Sequence, residues 1–206
     1  MTADTQAAGH GATVPAGAAH GTTRTGAKGG EGAGNSADSG HIRHTVVGSP
    51  LGELTLVGDG AALAGVYFEG HLRGPSPDEI GPRDDGAFRQ ARQQLDEYFA
   101  GERRHFDLPL APRGEPFQQR VWQLLRQIPY GETRSYGLLA RELGDPALAQ
   151  AVGAANGRNP LSVIVPCHRV VGADGALTGY AGGLERKRFL LELEGAASVT
   201  RTARLF

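Results

Sequence analysis

Ser162-Val163-Ile164-Val165-Pro166-Cys167-His168-Arg169-Val170-Val171 is the stretch from which the fold can be read outward. Its first four residues form a short apolar run behind a turn-rich segment, which predicts a short buried strand. Pro166 has no N–H to give a ladder, so the strand stops there. The chain's one cysteine follows at once, and a histidine follows it. Two readings of Cys167 stand on the residues alone. It is a small buried apolar residue, or it is a nucleophile whose thiol, with a free pKa of about 8.5, needs the basic neighbour that His168 supplies.

Upstream, Asn156-Gly157-Arg158-Asn159-Pro160 marks a sharp loop. Before it, Pro146 to about Ala155 predicts a helix built mainly of small residues, with Asp145 as N-cap and Pro146 in the first position. Such a helix can approach another backbone closely, in the core or in a nucleic-acid groove. Ser135 opens an earlier helix with Leu138, Leu139 and Leu143 as its apolar positions. Pro116 opens one before that, burying Phe117, Val121, Trp122, Leu124, Leu125 and Ile128 and ending at Tyr130-Gly131. Downstream, Asp174-Gly175 predicts a hairpin, and Gly179-Tyr180-Ala181-Gly182-Gly183 allows close backbone approach to a ligand. A last helix runs from Leu184 to about Glu194 and buries Phe189, Leu190 and Leu193.

The first half has a different period. His44 to Val47, Glu53 to Val57 and Leu63 to Phe68 alternate as three strands, with Gly48-Ser49-Pro50 and Asp59-Gly60 as turns, which predicts a small antiparallel meander. Leu72 to Asp85 reads as a loop. Phe88, Ala91, Leu95, Tyr98 and Phe99 then share one face of a helix that covers the sheet and stops at Gly101. His105 to Leu108 is a possible short strand. The expected organisation is therefore α+β: residues 42–108 as an N-terminal domain, 109–114 as a linker, and 115–196 as a mostly helical domain.

Residues 1–41 stand apart. Of 32 glycines in 206 residues, ten fall in the first forty, with ten alanines and six threonines. Apolar burial cannot repay the ordering entropy of such a stretch, so a disordered tail is expected, without the features of a secretory signal. Residues 197–206 read as a C-terminal tail.

No apolar run approaches the roughly 18 residues needed to span a bilayer, so no membrane protein is expected. A single cysteine excludes an intramolecular disulfide framework and a Cys-rich zinc site, and it fits the cytoplasm. Residues 1–114 carry 10 Lys/Arg against 14 Asp/Glu, whereas residues 115–206 carry 11 against 8. The basic half is the candidate for an anionic partner, although such a difference can also be only solvated faces.

Several segments together resemble one family. Asn159-Pro160, then Ile164-Val165-Pro166-Cys167-His168-Arg169-Val170, then Thr178-Gly179-Tyr180-Ala181-Gly182-Gly183-Leu184 are similar to the O6-alkylguanine-DNA alkyltransferases of bacterial type, also called methylated-DNA–protein-cysteine methyltransferases. Phe117-Gln118-Gln119-Arg120-Val121-Trp122 and Ile128-Pro129-Tyr130-Gly131 add to the match, which covers about residues 42–195. The resemblance implies a ribonuclease H-like N-terminal domain and a winged helix-turn-helix-like C-terminal domain bearing the Pro-Cys-His-Arg motif.

The implied activity is direct-reversal DNA repair. An alkyl group would move once, irreversibly, from O6-alkylguanine (or O4-methylthymine) in duplex DNA to Cys167, after the base is flipped out of the stack. By the same resemblance His168 is the general base through a water, Glu194 orients it, and Tyr136 donates a proton to the leaving base. Val170, Tyr180, Ala181 and the hinge residue Asn159 line the substrate site. The small-residue helix would enter the minor groove through Ala149, Gln150 and Gly153, with Arg158 on phosphate.

Two positions depart from the family. Ala181 replaces a common serine, and Gln150 stands where an arginine usually fills the space of the flipped base. Glutamine lacks the charge and the stacking plane of guanidinium, so weaker DNA binding is expected, with Arg158 and Arg186-Lys187-Arg188 as candidates to compensate on phosphates. Gln150 also keeps open a protein that binds the lesion without transfer, as the alkyltransferase-like proteins do. No cofactor and no metal are implied, and the family's bacterial members act as monomers.

Overall fold

The computed structural model describes residues 41–196. The predicted tails, 1–41 and 197–206, lie outside the described residues apart from His41.

Strands β1 (Arg43–Val47), β2 (Leu54–Gly58) and β3 (Leu63–Phe68) form an antiparallel sheet in chain order. Ser49 and Gly52 exchange backbone hydrogen bonds to close the first turn. In the second, the Asp59 carboxylate accepts from Ala61 N and Ala62 N at 2.9 and 2.7 Å, and Gly60 supplies the positive φ. Leu54, Leu56, Val66 and Phe68 are buried on this sheet. Helix α1 (Arg89–Phe99) buries Ala91, Leu95 and Tyr98 in the same core, leaving Phe88 and Phe99 half-buried.

The predicted strand at His105 to Leu108 does not form. Gln94 takes both polar groups of the Asp107 backbone, accepting from its N–H at 2.8 Å and donating to its carbonyl at 2.9 Å, so those groups are lost to a ladder. Contact with the sheet comes later, as an isolated parallel bridge between Leu63 and Leu110.

The helical half begins with α2 (Pro116–Leu125), which buries Val121, Trp122 and Leu125. A two-residue strand, β4 (Arg134–Ser135), leads into α3 (Tyr136–Glu142), where Ser135 Oγ accepts the Leu138 N–H as N-cap. Leu138 itself faces outward, and Leu139 and Ala140 carry the burial. The helix expected from Pro146 is instead a 3₁₀ turn, Pro146–Leu148, capped by Asp145, that runs into α4 (Ala149–Asn156). Trp122 Nε1 donates to Ala155 O at 2.9 Å and binds α2 to the end of α4.

The run Ser162 to Val165 is buried but is not a strand. One isolated bridge, Val66 to Leu161, touches the sheet, and the chain then turns, with Val163 at φ 71°. Asn159 explains the turn: its side chain donates to Leu161 O and Val165 O and accepts from Leu161 N, occupying groups a ladder would need. The hairpin expected at Asp174-Gly175 is a tight turn only. Strand β5 (Val170–Val171) pairs in parallel with β4, Arg134 opposite Val170 and Ser135 opposite Val171.

Helix α5 (Leu184–Leu193) buries Lys187, Leu190 and Leu191, while Phe189 and Leu193 are only half-buried. One continuous core takes residues from the sheet, from α1 and from the helical half. The architecture is α+β.

Candidate active site

The 3₁₀ turn Cys167–Arg169 follows the Asn159-stabilised loop and precedes β5, so β4 and the start of α3 are brought beside it. Cys167 is buried, and Asn159 Nδ2 donates to its Sγ at 3.0 Å. Burial pushes the thiol pKa up, while the Asn159 hydrogen bond and the charge of Lys187 pull it back. The sulfur therefore rests as a thiol, and a proton has to leave before it can attack.

His168 is the next residue of the turn. Its imidazole is wholly buried, and Nε2 lies 2.9 Å from Glu194 Oε1. Burial lowers its pKa, and the hydrogen bond and charge of Glu194 work in the other direction. The ring is therefore neutral near pH 7. Nε2 must then carry the hydrogen that meets the carboxylate, which leaves the lone pair on Nδ1. Nδ1 has no partner among the described residues.

Glu194 is the C-cap of α5 and is 5% exposed. Burial opposes its ionisation, but the hydrogen bonds of His168 and Arg169 and the guanidinium charge of Arg169 hold it well below the usual carboxylate range. Arg169 donates through Nε and Nη2 to its two oxygens at 2.8 and 2.9 Å, and through Nη1 to Ile128 O. Tyr98 Oη donates to Oε1 at 2.6 Å and Gly131 N to Oε2 at 3.3 Å. Gly131 sits at φ +77°, and a Cβ there would come within 2.8 Å of Glu194 O, so glycine is required.

Tyr136 opens α3 half-buried. Thr178 Oγ1 donates to its hydroxyl at 3.3 Å, and its ring packs over Gly153 of α4. Burial raises its pKa, and the neighbouring Cys167 adds to the rise, so it is a protonated donor. Tyr180 is buried with its ring edge-on to Phe68, and its hydroxyl has no hydrogen-bond partner among the described residues. Gly182 lets this loop close, because a Cβ there would meet Phe68 and Tyr180 within 2.9 Å. Ala181 is half-buried, and its carbonyl accepts from Leu72 N.

Two of the three residues of the basic run on α5 are engaged with backbone carbonyls of the fold. Lys187 is fully buried and donates to Val170 O and Thr178 O, each at 2.6 Å, with its pKa brought down by burial to about 8. Arg186 donates to Leu51 O, Glu69 O and Gly182 O and stacks over Phe68. Arg188 pairs with Glu185. Arg169 is internal as well, its charge matched by Glu194.

A different surface is left for a partner. On α4, Gln150, Ala151 and Ala154 are exposed, Ala149 and Gly153 are half-buried, and Arg158 is exposed just beyond the helix. The expected residues thus fall into two groups, a buried set around Cys167 and a small-residue face on α4. Asn159 and Asn156 join them, since Asn156 Nδ2 donates to Cys167 O at 3.4 Å. Tyr98, Arg169 and Asn156 were not singled out as site residues by sequence, and Lys187 was read only as a candidate phosphate contact. Only the polarity of Asn156 and Lys187 within otherwise packed helices could have drawn attention. Among the described residues, no group of three His, Cys, Asp or Glu side chains forms a metal site.

The chain is similar to proteins of one family. The family model "6-O-methylguanine DNA methyltransferase, DNA binding domain" matches residues 116–196, and the model for the ribonuclease-like domain of the same family matches residues 42–112. The methylated-DNA–protein-cysteine methyltransferase of Mycobacterium tuberculosis is 54% identical over 153 residues, covering 74% of this chain and 92% of the relative. That of Methanosarcina acetivorans is 50% identical over 154 residues, covering 74% and 98%. The crystal structure of Mycobacterium tuberculosis OGT in complex with DNA matches with a TM-score of 0.70 at 52% identity, covering 77% of this chain and 98% of that one.

Proposed function

The chain belongs to the 6-O-methylguanine DNA methyltransferase family, and from that premise we propose that Cys167 takes the alkyl group of O6-alkylguanine in duplex DNA onto its own sulfur. The activity is alkyl-transfer DNA repair, and DNA is the partner. One observation carries the residue assignment. The sole cysteine is buried next in the chain to a neutral imidazole whose Nε2 is committed to Glu194 and whose Nδ1 has no partner among the described residues.

The reaction follows from these groups. The thiol proton passes through a water to His168 Nδ1, and Glu194 stabilises the imidazolium that forms. Asn159 Nδ2, already on the sulfur, stabilises the thiolate. The sulfur attacks the alkyl carbon in line, an S–C bond forms and the C–O bond to guanine breaks. Negative charge appears on the leaving base, and Tyr136 neutralises it by giving its phenolic proton, later regained from solvent. The thioether product has no route back, so each molecule reacts once.

For the target base to reach Cys167 it must leave the duplex, at a cost of about a few kcal/mol. The exposed small residues of α4 allow backbone-close approach to a groove, with Gln150 beside the vacated position and Arg158 on a phosphate. Val170, Tyr180 and Ala181 form the wall around the flipped base. We assign residues 42–108 and 115–196 to two domains joined by 109–114, acting as a monomer in the cytoplasm without cofactor. No helix among the described residues is long and apolar enough to cross a membrane.

The test is to weigh the intact protein after incubation with an oligonucleotide carrying O6-methylguanine. A gain of one methyl, located on the Cys167 peptide and absent in Cys167→Ser, is expected. DNA binding with no mass gain would overturn the transfer to Cys167.

A further inference from the structure

The carboxylate of Glu194 gathers donors from three parts of the chain. His168 Nε2 and Arg169 come from the 3₁₀ turn, Gly131 N from the loop before β4, and Tyr98 Oη from α1. Two of these elements belong to the half that bears Cys167. Tyr98 does not. It lies 96 residues from Glu194 in the chain, on the helix that covers the N-terminal sheet, and its ring is fully buried against Phe99, Phe106 and Tyr130. Packing alone would be met by phenylalanine at this position. The hydroxyl has one bond, and at 2.6 Å it is the shortest to the carboxylate.

Oε1 is the oxygen that also accepts from His168. A donor fixed on that atom does two things. It pins the carboxylate so that its Oε1 stays on Nε2, and it draws charge away from the oxygen that would otherwise favour imidazolium more strongly. We propose that Tyr98 is a positioning residue for alkyl transfer, through which the N-terminal half sets the orientation and basicity of the His168–Glu194 pair. The proposal rests on the reading of His168 as general base.

The other groups that bear on the pair are Arg169 on its own turn, Lys187 on α5, and Tyr130, which has the Arg104 guanidinium over its ring. None of them replaces Tyr98 if its hydroxyl is removed. Arg169 is already committed to both carboxylate oxygens and Ile128 O, Tyr130 Oη donates to Leu193 O, and Lys187 is held by Val170 O and Thr178 O.

The experiment measures single-turnover methyl transfer from an O6-methylguanine duplex across pH 5–9 for the full chain, its Tyr98→Phe variant, and a chain with a fluorotyrosine at position 98. Tyr98→Phe is expected to lower the plateau rate about tenfold, within the scale of general-base contributions, and to move the acid limb to higher pH because Glu194 then favours imidazolium more. The fluorotyrosine is a stronger donor and is expected to move the limb to lower pH. Thermal melting is recorded beside each profile.

A Tyr98→Phe chain that melts lower but keeps the unmodified rate and limb would make Tyr98 a packing residue and overturn the proposal. If that variant does not fold, the fluorotyrosine chain decides, and a limb that does not move overturns it as well. Wild-type protein that takes up no methyl would instead sink the reaction assigned to Cys167, so the two failures are distinguishable.

Discussion

The surroundings of Cys167 and the exposed face of α4 are built on opposite principles. Around Cys167 the polar side chains are tied across the fold: Asn159 to the sulfur and two carbonyls, Lys187 to two more, Glu194 to His168, Arg169 and Tyr98, while His168 Nδ1, Asn156 Oδ1 and the Tyr180 hydroxyl have no partner among the described residues. On α4 the outward positions are Gln150, Ala151 and Ala154, which bond nothing across the fold and fix no geometry. The contrast fits the roles proposed for the two regions. In-line attack demands atoms held within a fraction of an ångström, and donors paid for in advance by folding supply that. Docking along a groove demands absence of bulk, so a face with little side chain suffices.

This contrast can be broken by removing its most heavily bonded group. Glu194→Ala leaves Arg169 buried without its counter-charge and takes away the partner of His168. A loss of about 3–5 kcal/mol in unfolding free energy is expected by denaturant titration, together with a fall in transfer rate of about 10² or more. An equal loss from an alanine-to-serine change on the α4 face would erase the distinction.

Acid sharpens it next. His168 is held neutral in the fold, so its pKa lies below the unfolded value of 6.5. Between these values the unfolded chain binds more protons, and stability present above pH 6.5 is lost as pH falls through the folded value. Glu194, also depressed, adds a second loss below its ordinary value of 4.5. His71, which burial likewise lowers, contributes in the first window. Stability followed by denaturant from pH 8 to 4 should therefore decline in two stages, and the first should be shallower in His168→Gln than in His71→Gln if the buried pair dominates.

The smallest effect on stability is expected at α4. Gln150→Arg should change unfolding free energy by no more than about 0.5 kcal/mol, yet tighten DNA binding and steepen its dependence on salt by roughly one further counterion. Fluorescence anisotropy at several salt concentrations measures both. An unchanged slope would remove Gln150 from the DNA-facing surface.

Sequence made the α4 face and the Cys167–His168 pair legible because both are local: small residues at helical spacing, and two adjacent side chains in a specific motif. It misread Val163-Ile164-Val165 because β-branched residues favour strands, whereas here the Asn159 side chain captures the backbone groups and forces Val163 to φ 71°. The same holds at Asp107, whose ladder groups go to Gln94. Tyr98 was legible only as an apolar-face residue of α1. Its bond to Glu194 crosses the whole chain and leaves no trace in any local pattern. Lys187 was hidden between Arg186 and Arg188, where a charged run reads as a wet helix face.

The single tryptophan has a use beyond packing. Trp122 is 2% exposed, and its indole N–H ends on the last turn of α4 at Ala155 O. Indole emission responds to that hydrogen bond and to the polarity around it. The molecule therefore carries an intrinsic optical gauge, with no competing tryptophan signal, on the very helix whose far side is bare, and strain imposed on that helix can be timed in a stopped-flow trace without attaching a dye.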